Sequence, residues 1–199
     1  METGAVPGGV CVSTLVVFLE EPSAEWMIKS VLPKVLPPDC ELRCIHFEGK
    51  RDLEKNLERK LRCWQKPDSR FLVMRDRDSE DCRAVKRRLA EICSRAGHPE
   101  TVVRIACGEL ESFYLGDLAA VAEALGCKLP TSKKAKLRDP DALNNAADEL
   151  CRLTQNVYQK ISGSRQIAPL LKTDGSNKSH SFNILLQGVR KLIPGCKPE

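Results

Sequence analysis

The sequence predicts an α/β protein, with a mainly parallel sheet of about four strands flanked by helices and a helical C-terminal extension. Three observations carry this. Four short apolar runs each lead into a stretch whose apolar residues recur at helical spacing, a rhythm that implies right-handed crossovers. The rhythm stops near Gly126, and the remainder alternates helical stretches with polar loops. The chain of 199 residues is 42% hydrophobic but only 5% aromatic, so its core is aliphatic.

Residues 1–12 (METGAVPGGVCV) are rich in Gly and Pro and read as a flexible N-terminus. The first strand runs near Leu15 to Leu19. Pro22 then stands in the first turn of a helix, where proline is tolerated. That helix carries Trp26, Met27, Val31 and Val35 inward and ends at Pro37-Pro38. Glu41 to Phe47 is the second strand, followed by Leu53, Leu57, Leu61 and Trp64 on one helical face. Arg70 to Met74 is the third strand, and Val85, Leu89 and Ile92 mark the helix after it. Thr101 to Cys107 is the fourth strand, with one helix expected over Glu111 to Leu125. Further helical stretches are expected at Pro140 to Leu153, Arg165 to Leu171 and Ser181 to Ile193. Residues 13–126 thus form the α/β domain, and 127–199 a helical extension packed on it.

The ten cysteines are scattered singly, without a CxxC, which argues against a zinc site and for reduced thiols. No secretory signal or membrane span is read, so the expected location is cytoplasmic. The net charge of +5 mildly favours an anionic partner. Neither a Gly-x-Gly-x-x-Gly nor a nucleotide-hydrolase phosphate loop occurs, so ATP chemistry would come from a partner.

In open parallel sheets, ligands bind beyond the carboxyl ends of the strands. Acids follow three of these ends: Glu20, Glu21 and Glu25 after the first, Asp76, Asp78, Glu80 and Asp81 after the third, and Glu109 and Glu111 after the fourth. Acids near helix starts also serve as caps, which is the ordinary explanation for any one cluster. Gathered at one edge they call for a compensating cation. An all-oxygen set suits Mg2+ or Mn2+. In Asp76-Arg77-Asp78, continued strand alternation would put both carboxylates on one side.

A strand ending in Glu, a second acid four residues on, and a later strand ending in DxD resemble the Toprim fold of topoisomerases, primases and overcoming-lysogenization-defect nucleases. Over residues 13–193 the chain resembles a bacterial family of small Toprim-like proteins of unknown function, often encoded beside an ATPase. That family's EGxxE is matched by Glu21-Pro22-Ser23-Ala24-Glu25, with Pro22 in place of glycine. Its second motif is matched by Asp76, Asp78 and Ser79, and its third by Glu109, Glu111 and Tyr114. "YQKISGSRQIAPLL" resembles its basic C-terminal segment, with Lys160 and Arg165. The resemblance implies a Mg2+- or Mn2+-dependent nuclease. Glu21 would be ligand or base, Asp76 and Asp78 would hold metal, Glu25 and Glu111 would complete a second site, and Lys160 would face the phosphate. It also implies an ATPase partner in a phage-defence-like system.

Lys133, Lys134 and Lys136 form a basic run without nearby acids, a candidate contact for a DNA or RNA backbone. Arg59-Lys60-Leu61-Arg62 and Lys86-Arg87-Arg88 read as solvated helix faces. Two other readings stay open: a non-catalytic Toprim-fold module that binds an ATPase, and a toxin that cleaves tRNA. The oligomeric state, including a homo-oligomer, is left open.

Overall fold

The computed structural model describes residues 14–77, 80–129 and 135–198. Its sheet has four strands, all parallel, in the order β2-β1-β3-β4. These are β1 (Thr14–Leu19), β2 (Glu41–His46), β3 (Ser69–Asp76) and β4 (Val102–Ala106). Between them run α1 (Pro22–Val31), α2 (Lys50–Arg62) and α3 (Cys82–Arg95). After β4 come α4 (Glu111–Leu115), α5 (Leu118–Leu125), α6 (Ala146–Leu153), α7 (Lys160–Ile167) and α8 (His180–Leu192).

Strand alternation divides the core in two. Leu15, Val17, Leu19, Leu72 and Met74 face one side, where α1 and the helices from α4 to α8 bury them. Val16, Phe18, Phe71 and Val73 face the other, covered by Leu53, Leu57 and Leu61 of α2 and Val85, Leu89 and Ile92 of α3. The C-terminal helices are part of the first core, through Leu150, Ile167, Phe182, Leu185 and Leu186. Arg104 of β4 lies under Gly188 of α8 and donates to the Ile184 carbonyl at 3.0 Å. Among the described residues, no helix is long and apolar enough to cross a membrane.

Three helical expectations are corrected in their bounds. The helix expected over Glu111 to Leu125 is two helices. Asp117 accepts from the Ala120 amide at 3.2 Å and starts a new one, because a capping carboxylate competes with helix continuation. Pro140 to Leu153 divides into a 3-10 turn at Pro140–Ala142 and α6. Arg165 to Leu171 starts earlier, at Lys160, and its end tightens into a 3-10 turn at Ala168–Leu170.

Candidate acidic site

Four parallel strands put the start of each following helix at one edge of the sheet, and there the acids separate. Residues 75 and 76 alternate across β3, so Arg75 belongs to the α2/α3 side and Asp76 to the α1/α7 side. The adjacent pair at the end of β1 divides the same way. Glu20 turns to Arg75, with Arg75 Nε 3.7 Å from Glu20 Oε2, and that oxygen also accepts from the Asp76 amide at 3.1 Å. Glu21 starts α1 in an extended conformation and accepts from Lys160 Nζ at 2.9 Å through Oε2 and from the Ser23 hydroxyl through Oε1. Pro22 occupies the first helical position, so the missing amide removes no helical hydrogen bond.

On the Asp76 side the charges are poorly compensated. Burial pushes the Asp76 carboxyl well above the usual carboxylate range, and the carboxylates of Glu21, Glu111 and Glu20 push it further. One amide opposes this: Leu110 N–H donates to Asp76 Oδ2 at 3.2 Å. Gly108 stands two residues before Leu110. It turns the chain at φ +102°, and a Cβ there would stand 2.7 Å from the Leu143 carbonyl oxygen.

Glu111 begins α4 and is fully buried. Tyr158 O–H donates to its Oε1 at 2.8 Å, and its Oε2 has no hydrogen-bond partner among the described residues. Burial raises the Glu111 carboxyl, against the opposing effects of the Tyr158 hydrogen bond and the Lys160 charge. The Tyr158 ring lies on Gly163 of α7, where any Cβ would overlap it. Tyr114, also buried, bonds Ser164 of α7 at 2.6 Å between hydroxyl oxygens. Lys160 opens α7. Burial disfavours its charge, but Glu21, Glu111 and Asp76 outweigh that and hold its ammonium above the usual range.

The structure therefore brings together Glu21, Asp76, Glu111 and Lys160 of the residues singled out in the sequence. It places others elsewhere. Glu25 pairs with Lys29 at 2.5 Å and with His46 Nδ1 at 2.6 Å. Lys136 pairs with Glu149 at 2.6 Å, and Arg165 sits 3.7 Å over the Trp26 ring. Glu109 accepts from the Ala147 amide at 2.7 Å, at the start of α6, and Asp81 caps α3 through Ala84 N–H at 2.8 Å. Asp78, Ser79, Lys133 and Lys134 lie outside the described residues. Tyr158 is a site residue that sequence reading did not single out. Its only signal is its place two residues before Lys160.

Among the described residues, no three His, Cys, Asp or Glu side chains are grouped closely enough to hold a metal ion. The donor chemistry nonetheless fits a hard divalent cation: carboxylate oxygens that repel one another, and one buried oxygen of Glu111 with no partner.

Residues 19–190 match the family model described as a domain of unknown function, DUF4276. No curated protein matches the chain. Among solved structures, the C-terminal region of the Burkholderia pseudomallei OLD protein is similar at TM-score 0.54 and 16% identity. That match covers 89% of this chain and 97% of the other. The C-terminal region of the Xanthomonas campestris pv. campestris OLD protein matches at TM-score 0.48 and 16% identity, over 92% and 97% of the two chains. The fold is Toprim-like.

Proposed function

We propose that this chain, which belongs to the DUF4276 family, is a metal-dependent nuclease of the Toprim type that cleaves phosphodiester bonds of DNA or RNA. One observation carries the reading. Asp76, Glu21 and Glu111 converge with Lys160 beside them, and one Glu111 oxygen is buried without a hydrogen-bond partner among the described residues. Such crowding costs stability unless a cation or a substrate makes use of it. Toprim domains generally bind divalent metals, which supports the same reading.

Asp76, Glu21 and Glu111 would draw closer together to hold Mg2+ or Mn2+, with Asp78 and Glu25 completing the acidic set that the resemblance assigns. The bound ion would supply an acidified water and neutralise charge on the phosphate. The chain's own residues do the rest. Lys160 keeps its proton and offers a positive charge to an incoming phosphate. Tyr158 fixes the orientation of Glu111 by its 2.8 Å hydrogen bond. Leu110 N–H does the same for Asp76. The basic residues Lys133, Lys134, Lys136 and Arg165 are proposed contacts for the nucleic-acid backbone. Coupling to an ATPase of a phage-defence-like system rests on the family resemblance.

A second reading is favoured by one contact set. Both Glu21 oxygens are already engaged, by Lys160 and Ser23, as a non-catalytic module would have them.

The two readings separate in one experiment. Purified protein with millimolar Mn2+, alone and with a co-encoded ATPase, is incubated with plasmid DNA and with RNA. Cleavage is expected, and Glu21→Gln and Lys160→Met should each slow it by roughly 10²–10³-fold with the fold intact. Equal rates for Glu21→Gln and wild type would remove Glu21 from the chemistry. Absence of cleavage alongside tight ATPase binding would establish the module instead.

A further inference from the structure

Two sulfurs outside this constellation lie against each other. Cys82 is the first residue of α3, six positions after Asp76, and Cys107 directly follows β4, four positions before Glu111. Their Sγ atoms are 3.5 Å apart. Both residues are partly exposed, so a small oxidant reaches them. A disulfide is about 2.05 Å long, so closing it asks for a relative approach of about 1.5 Å.

We propose that Cys82 and Cys107 form a reversible disulfide with a peroxide-class oxidant. The bond would join the connection that follows Asp76 to the connection that precedes Glu111.

The chemistry balances with hydrogen peroxide. The Cys82 sulfur attacks one peroxide oxygen and the O–O bond breaks. Cys82 becomes a sulfenic acid, and its thiol proton leaves with the departing hydroxide as water. The Cys107 sulfur then displaces the sulfenic hydroxyl. The S–S bond forms, the S–O bond breaks, and the second thiol proton leaves in a second water. Two electrons pass from the sulfur pair to the peroxide. Burial and the neighbouring Cys82 sulfur push the Cys107 thiol up to about 12. Cys107 therefore enters the second step as a thiol.

The test uses the full chain. Protein is treated with hydrogen peroxide, alkylated, digested and mapped by mass spectrometry. The expected product is a Cys82–Cys107 linked peptide that dithiothreitol reverses. The exposed Cys63 serves as the internal control for unselective oxidation. Because the bond closes a loop of 25 residue steps, Tm should rise by roughly 5–10 °C on oxidation. Cys82→Ser and Cys107→Ser should each abolish the linked peptide and the shift. Cys82→Ala provides a second variant should the serine disturb α3. Linkage through other cysteines, over-oxidation of Cys82 without linkage, or an equal Tm shift in Cys82→Ser would overturn the proposal. The readout involves no nuclease activity, so this inference and the proposed function fail separately.

Discussion

Arg75 and Asp76 are neighbours in the chain and opposites in their surroundings. Arg75 is buried, yet it donates to Glu54 at 2.7 Å and to Glu80 at 2.8 Å, and Glu20 lies 3.7 Å from its Nε. Arg88 adds a second guanidinium, 2.8 Å from both Glu54 and Glu80. On that side the arginines hold the acids, and Glu80 is drawn down to about 2 by its hydrogen bonds to Arg88 and Arg75. One residue along, Asp76 is pushed up by burial and by three other carboxylates. Both sides are acidic in sequence. One is neutralised by the chain's arginines and the other only in part, by Lys160, and that difference tells a scaffold from a candidate site.

The largest expected effect breaks the scaffold. Arg75→Met should destabilise the protein by about 3–5 kcal/mol, because it leaves acids gathered around a lost cation. Urea denaturation measures this, and a loss under about 1 kcal/mol would mean that solvent screens those acids well enough alone.

Next in size is the response to metal. At 100 times its dissociation constant, Mn2+ should stabilise the wild type by about 2.7 kcal/mol. Asp76→Asn and Glu111→Gln should lose that gain, whereas Glu80→Gln should keep it. A wild type indifferent to millimolar Mn2+ in a thermal scan would erase the contrast between the two sides.

A smaller effect of opposite sign to Arg75→Met is expected without metal. Asp76→Asn should stabilise the apo-protein by about 1–2 kcal/mol at pH values above the raised Asp76 titration, where it removes a crowded charge and keeps the acceptor for Leu110. Asp76 and Glu111 titrate higher folded than unfolded, so the folded chain binds more protons between the two values. Their favourable contribution is complete below the ordinary carboxylate range and is lost as pH rises through the raised values. Glu80 runs the other way. Its contribution is present above its ordinary value and is lost as pH falls toward about 2.

The smallest effect is therefore a pH signature. Asp76→Asn should flatten the upper part of the Tm–pH curve and Glu80→Gln the lower part. If both variants flatten the same limb, the two sides are not electrostatically distinct.

The strands were legible because each is an apolar run bounded by turn residues, and all four fall where the sequence places them, within a residue or two. The acids were legible as residue types at strand ends. Their partition was not. Arg75 looks like one more surface charge, and nothing local in Glu20-Glu21 says that the two side chains part company. That follows from which strands flank β1, a long-range fact. Nor does anything local to Glu25 say that β2 brings His46 beside it. Tyr158 was hidden because its role depends on the path of α7, which no periodicity reveals.

The strand order has a consequence in time. β1 and β3 occupy the middle of the sheet, hydrogen-bonded on both edges, and they deliver Glu21 and Asp76. Lys160 arrives on α7, a helix of eight residues that leaves Ile161 half exposed. Backbone amides of central strands open only when the whole molecule does, whereas a short helix with one exposed face opens at lower cost. Hydrogen exchange should then find β1 and β3 protected to the global limit and α7 well short of it. Equal protection in all three would show a rigid unit. Unequal protection would mean that the carboxylates persist for the lifetime of the folded state while their lysine comes and goes, so that the negative field at this edge is intermittently bare.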